Sequence, residues 1–273
     1  MLNKLKTLII SPIYSLKKIY YIFQSLYLVM TYNEEKFKKE QTEFFSQLRL
    51  DREAGLKIFE NQQNEENILK TPMSSEHKVL LASISISKNV YKEILEIGTH
   101  DGKNAFYLSK IFPNSKITSI DLDEEDELFK NSYNREDAEK RQEFCKERDK
   151  ILSLSKNINF KKMNSLKLYN SKKTFDLIWV DGAHGYPVAS IDIINSVRLL
   201  NNKGLLLCDD VWKTKPLKQD ETYHSLASYE TLNALQNANI LKFQTIYKRL
   251  DKNNNASKQF RKFIAIAEKL SDV

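Results

Sequence analysis

The stretch EILEIGTHDGKNAFYLSKIFPNSKITSID, residues 93–121, decides the fold. It opens on a short aliphatic run, turns through Gly98 and Gly102, continues as a helical pattern, and closes on a second apolar run ending in Asp121. Strand, turn, helix and strand in about thirty residues make a βαβ unit, whose strands lie parallel with the helix packed on one face. The turn has the form Glu96-x-Gly98-x-x-x-Gly102. It is not the dinucleotide fingerprint, because Thr99 and His100 stand where a middle glycine would let a pyrophosphate approach.

The same alternation continues downstream. INFKKM (158–163), FDLIWVD (175–181) and GLLLCDD (204–210) read as the third, fourth and fifth strands. The fifth is apolar enough to be buried on both faces. Between the second and third strands, the charged residues 124–154 read as one long helix. PVASIDIINSVRLL (187–200) reads as a helix with Val188, Ile191, Ile194 and Val197 on one face. After the helix SYETLNALQNA come two last strands, ILKFQTIYKRL and QFRKFIAIAEK, around the turn-rich DKNNNAS. The expected fold class is therefore α/β: a Rossmann-like, mostly parallel sheet of seven strands with a C-terminal antiparallel hairpin and helices on both faces.

Composition sets the outer limits. The 273 residues are 41% hydrophobic and 29% charged, enough for one large domain with a sizeable core and against wholesale disorder. The net charge of +7 would suit nucleic acid, an anionic membrane surface or a phosphorylated substrate. The lysines are dispersed and no nucleic-acid module is visible, so no nucleic-acid partner is expected. Cys145 and Cys208 are too few for a disulfide framework; a reducing cytoplasm is the default, with both thiols as packing residues.

Residues 1–70 stand apart, with the polar NQQNEEN (61–67) as a boundary, so an N-terminal helical extension (1–70) precedes a catalytic domain (71–273). LIISPIYSLKKIYYIFQSLYLVMTYN (8–33) is apolar and aromatic, but Lys17 and Lys18 interrupt it. The uncharged run from residue 19 to 33 falls short of the ~20 residues that span a bilayer, and no small-residue cleavage site follows. Two readings stay open: a helix that docks on the catalytic domain or pairs subunits in a homo-oligomer, and a basic amphipathic helix on the inner membrane surface.

EIGTHDGKNAFYLSKIFPNSKITSID, FDLIWVDGAHGYP and LLNNKGLLLCDDV together resemble the class I S-adenosylmethionine-dependent methyltransferases. More narrowly, they resemble the branch that holds catechol O-methyltransferases, macrolide-sugar O-methyltransferases and cephalosporin-hydroxylase-like proteins. The resemblance covers residues 75–267 and rests on three motifs in the right order. It implies S-adenosylmethionine as cofactor, with Glu96, Gly98, Thr99, His100 and Gly102 shaping its loop and Asp121 holding its ribose. An acid twenty residues beyond such a turn can accept both ribose hydroxyl protons. Asn164 and Ser165, after the third strand, would lie beside the adenine.

Asp181 ends the fourth strand and Asp209-Asp210 the fifth. Neighbouring parallel strands would bring three carboxylates to one edge, where they repel unless a cation or protons compensate. Oxygen donors suit a hard divalent ion, Mg²⁺ first, and in the resembling enzymes acids at these positions hold such an ion. Here the last pair is Asp-Asp, where catechol-type enzymes carry Asp-Asn and sugar-type ones Glu-Asp. His184, three residues after Asp181, is the expected base, with Asp181 as its catalytic companion; an imidazole accepts a proton near neutral pH. Gly182 and Gly185 would fold the turn that aims the two at one volume. Tyr186, Trp212 and His224 would line the acceptor pocket. The expected substrate is a hydroxyl of a sugar, glycan or natural product. Two alternatives remain, a metal-dependent hydroxylase-like enzyme on the same scaffold and a non-catalytic interaction protein. A nicotinamide oxidoreductase is disfavoured by the missing glycine.

Overall fold

A computed structural model describes residues 12–70, 75–214, 225–255 and 261–270. The seven strands are β1 (Glu93–Ile97), β2 (Lys116–Asp121), β3 (Ile158–Lys162), β4 (Phe175–Val180), β5 (Leu200–Trp212), β6 (Leu241–Tyr247) and β7 (Lys262–Lys269). They form one sheet in the order β3-β2-β1-β4-β5-β7-β6. The first five pair in parallel, and β7 runs antiparallel between β5 and β6. The chain switches direction between β1 and β4, so the crevice beyond the carboxyl ends of β1, β2, β4 and β5 is where this topology binds ligands.

Helices α1 (Pro12–Met30), α2 (Glu34–Gln47), α3 (Arg52–Glu65) and α4 (Glu76–Ser85) precede the sheet. Alternation along the strands sends side chains to two faces. Ile94, Leu177, Trp179, Leu207 and Ile264 face one way and share a buried cluster with Phe45, Phe59 and Leu80 of α2, α3 and α4. Leu95, Ile178, Val180, Leu206 and Cys208 face the other way, under α8 (Val188–Leu199) and α9 (Ala227–Asn237). Phe45 is fully buried, which alone contributes about 1.5–3 kcal/mol. α2 and α3, which precede residue 70, contribute Phe45 and Phe59 to the buried core. Only α1 projects. Ile13, Leu16, Tyr20, Phe23 and Tyr27 are all more than half exposed, and no helix among the described residues is long and apolar enough to cross a membrane.

Two helical expectations change. The segment 124–154 forms a short α6 (Glu127–Lys130) and a separate α7 (Ala138–Ser153). Tyr133 and Asn134 adopt positive φ between them, and Asp126 and Asp137 each cap a helix start by accepting the backbone N–H of Leu128 and Lys140. Short polar side chains compete for backbone donors and so end one helix and begin another. In α8 the inward face is Ala189, Asp192, Ile193, Ser196 and Val197, while Ile194 is half exposed. The apolar periodicity there pointed to the wrong face because Asp192 and Ser196 go inward.

Candidate active site

Helix α5 (Lys103–Ile111) follows β1 through the turn 98–102. Gly98 has φ +98° and Gly102 φ +78°, a region open to glycine and strained for other residues. A Cβ on Gly98 would stand 2.3 Å from the Asp181 carbonyl oxygen. The turn after β1 therefore lies directly against the backbone after β4. At Gly182 a Cβ would make only ordinary contacts, 3.4 Å from Ile97 and 3.6 Å from Asp192, and its φ is not positive. The tight approach expected of Gly182 is made by Gly98 instead.

Behind the turn lies a buried polar network. Glu96 accepts hydrogen bonds from Asn104 Nδ2 at 2.8 Å and from the Ser119 hydroxyl, and the Thr99 and Ser119 hydroxyls are 2.6 Å apart. Burial pushes the Glu96 carboxyl up to about 7 against the pull of these donors. Its folded value thus lies above its ordinary 4.5. The stability it contributes is full below that value and is lost as pH rises through about 7. Glu96→Gln should remove this slope and gain relative stability at about pH 8 over about pH 5 in urea unfolding; parallel wild-type and variant profiles would refute the assignment.

Asp121 sits at the tip of β2. Its Oδ2 accepts the His100 N–H at 2.8 Å and its Oδ1 the Leu122 N–H at 2.8 Å. His100, itself at positive φ (49°), packs edge-on against Tyr133 and Phe144. Asn164 caps the turn Ser165–Asn170 by accepting the Leu166 N–H at 2.9 Å. Ser165 lies against the buried Asp192, whose carboxyl burial raises to about 6. The turn glycines, Thr99, His100 and Asp121 therefore meet at one corner, while Asn164 and Ser165 stand at the end of β3.

The second corner gathers charge. Successive residues of a strand normally point to opposite faces, yet Asp209 and Asp210 both reach one ammonium. A bulge between Cys208 and Val211, with Asp210 at φ +51°, re-aims them. Lys248 Nζ donates to Asp209 Oδ2 at 2.7 Å and to Asp210 Oδ1, and Lys262 Nζ donates to Asp210 Oδ2 at 2.5 Å. Burial works to raise Asp210, but the two ammonium groups outweigh it and hold the carboxyl below the usual range. Burial likewise works against charge on Lys248, and Asp209 and Asp210 more than restore it. Asp181 is pushed well up, by burial first and by the charge on Asp209 second. Among the described residues no three His, Cys, Asp or Glu side chains are arranged to hold a metal ion. Of the donors expected for Mg²⁺, Asp209 and Asp210 are engaged by lysine instead. Three of the four oxygens of the aspartate pair accept from lysine.

His184 Nε2 lies 3.8 Å from Asp210 Oδ2, and its side chain is 11% exposed. Burial lowers its pKa, so the ring is neutral at neutral pH in spite of the nearby carboxylates. Tyr186 is half exposed, and its hydroxyl donates to Glu230 at 2.6 Å. Trp212 is buried beneath Lys262, whose Nζ stands 5.3 Å from the ring centroid, so it does not offer an open wall to a substrate. His224 lies outside the described residues.

Four side chains near this edge gave no sequence signal. Lys248 and Lys262 were two lysines among many. His77 on α4 stacks on Trp179 with centroids 5.5 Å apart, and burial holds its pKa well below the usual value. Lys78 donates to Asn104 Oδ1 at 2.8 Å, and burial brings its pKa down to about 8. A cavity of about 290 Å³ lies elsewhere, between α7 and the Asp101–Lys103 turn, and is lined by Ile68, Phe144 and Ile151.

A methyltransferase-domain profile matches residues 95–211. No curated protein matches the chain in sequence. Among solved structures, an O-methyltransferase from Bacillus cereus in complex with S-adenosylhomocysteine shares 13% identity at TM-score 0.52, over 87% of this chain and 100% of that one. A cofactor-bound protein from Mycobacterium tuberculosis shares 14% identity at TM-score 0.50, over 80% and 90%. At this identity the likeness establishes the fold.

Proposed function

We infer that this chain, a class I S-adenosylmethionine-dependent methyltransferase, methylates a hydroxyl oxygen of a sugar, glycan or other natural product. The observation that carries the reading is the meeting of two corners across Gly98: a glycine turn with a ribose-competent acid on one side, a neutral buried histidine on the other.

The residues fit the cofactor. Gly98 and Gly102 keep the turn free of Cβ atoms, and Asp121 spends one hydrogen bond per oxygen on the backbone, leaving lone pairs for ribose hydroxyls. Glu96, Thr99 and His100 would support that cradle from below and beside it, and Asn164 and Ser165 would border the adenine. When bound, S-adenosylmethionine supplies a methyl group made electrophilic by its sulfonium, with the electron pair of the broken carbon–sulfur bond staying on sulfur.

His184 does the proton work. Burial keeps its ring neutral at neutral pH, and the ring nitrogen without a proton can take the hydroxyl proton as the oxygen becomes nucleophilic. The imidazolium so formed faces Asp210 and is stabilised there. Asp181, adjoining the same carboxylates, would set the field around the reacting oxygen. Held positions supply much of the rate, since orienting two reactants replaces an encounter in solution. Divalent-ion assistance is left out of this mechanism, because Asp209 and Asp210 already pair with Lys248 and Lys262.

His184→Ala should lower kcat by about 10²–10⁴-fold and leave the affinity for S-adenosylmethionine within a factor of about two. The measurement is transfer of a labelled methyl group to a panel of glycans and hydroxylated natural products, read by mass spectrometry, with calorimetry for the cofactor. Full turnover in the variant would remove His184 from the mechanism. A chain that binds no S-adenosylmethionine would remove the function.

A further inference from the structure

We propose that Lys248 and Lys262 stand in for a divalent cation, so that this enzyme neutralises its strand-end carboxylates with its own ammonium groups and binds no metal there. The proposal rests on the methyltransferase reading and specifies how its acidic corner is built.

Three observations carry it. The first is donor occupancy. Both oxygens of Asp210 and one of Asp209 accept from lysine, Asp209 Oδ2 at 2.7 Å from Lys248 Nζ. Asp209 Oδ1 is buried and has no hydrogen-bond partner, which leaves one open oxygen on the pair. Mg²⁺ needs near-octahedral oxygen donors at about 2.0–2.1 Å and cannot share them with an ammonium seated on the same atoms.

The second is anchorage. Lys248 is 8% exposed. Its backbone N–H donates to the Lys262 carbonyl at 3.0 Å, and its own carbonyl accepts the Glu76 N–H at 2.9 Å. Lys262 is the first residue of β7 and pairs with Trp212 of β5. Both ammoniums are therefore held from the sheet itself and are not loose surface chains that an ion could brush aside. Removing Lys248 from the carboxylates would strand a buried charge on each side.

The third is the charge count. Two ammonium groups face the two carboxyl groups of Asp209 and Asp210, so that pair is already matched in number. A divalent ion added there would meet like charge at close range. The same balance has a use in the reaction. Lys262, whose side chain is 31% exposed, presents an ammonium on the open side of the pair, where it can attract an acceptor oxygen that has lost its proton to His184.

The test is a titration of the full chain with MnCl₂, followed by electron paramagnetic resonance and calorimetry, with and without S-adenosylmethionine. The expected result is no stoichiometric Mn²⁺ binding and a cofactor isotherm unchanged by a chelator. Lys262→Met frees an oxygen at a partly exposed position, and should bind Mn²⁺ at least about tenfold tighter than wild type, with urea unfolding to show that the variant is folded. Adding Asp210→Asn to it should abolish that gain. Stoichiometric Mn²⁺ in the wild type that Asp210→Asn removes would overturn the proposal, as would a Lys262→Met chain with no gain in Mn²⁺ affinity. Failure to bind S-adenosylmethionine would instead sink the methyltransferase reading, which keeps the two outcomes apart.

Discussion

Gly98→Ala is expected to lower stability by about 3–5 kcal/mol and to abolish measurable binding of S-adenosylmethionine. Two costs add. A residue with a Cβ held at φ +98° is strained by about 1–3 kcal/mol. The new methyl would also stand 2.3 Å from the Asp181 carbonyl oxygen and 2.9 Å from Gly182 Cα, where contact distances begin near 3.4 Å. Neither obstacle is the far end of a flexible side chain. Either the turn after β1 moves or the end of β4 does, and both corners of the site depend on their separation. Urea unfolding and calorimetry measure the two effects. A variant with the wild-type midpoint would mean that the strands do not meet here.

Lys248→Met should cost about 3–5 kcal/mol, because it leaves two carboxylates buried with their main counter-charge gone. The pH dependence gives this effect a signature. In the wild type Asp210 titrates below the usual carboxyl range, so its contribution is present above the ordinary value of 3.8 and is lost as pH falls through the lower folded value. Without Lys248, burial dominates at Asp210 and its folded value rises. The variant should then gain stability as pH falls from neutrality, the reverse of the wild-type trend. Asp209→Asn and Asp210→Asn should each rescue Lys248→Met in part while weakening the wild type. Urea midpoints across the pH range decide it, and parallel wild-type and variant profiles would mean the ammonium contributes no more than an exposed pair.

How much of this was legible beforehand follows from which interactions are local. β1 and β2 fall where the aliphatic runs EILEI and KITSID placed them, because a short apolar run bounded by turns is a local pattern. The mostly parallel sheet followed from alternation of strand and helix. The break at Tyr133 and Asn134 was missed because charge density looked helical and the caps at Asp126 and Asp137 were not weighed against it. At the site, residues at strand tips could be placed from the chain alone, and Glu96, Gly98, Asp121 and Asp181 stand at those tips, with His184 in the loop after β4. What surrounds them could not. Lys248 and Lys262 reach Asp209 and Asp210 only through antiparallel pairing of the last strands and a bulge at Asp210, and neither leaves a mark in composition or spacing.

Gln41 gives the N-terminal helices a role that their composition conceals. β6 is an outer strand, and the Gln41 amide accepts the Tyr247 N–H at 3.0 Å and donates to the Tyr247 carbonyl at 2.9 Å. One side chain thereby imitates a neighbouring strand and seals the border of the sheet next to Lys248. A version of the chain lacking α2 would expose that border, which could then recruit the same border of another molecule and begin an open-ended stack. Helix α2 thus works as a selvedge on the sheet, and its removal would be felt as insolubility before any loss of chemistry.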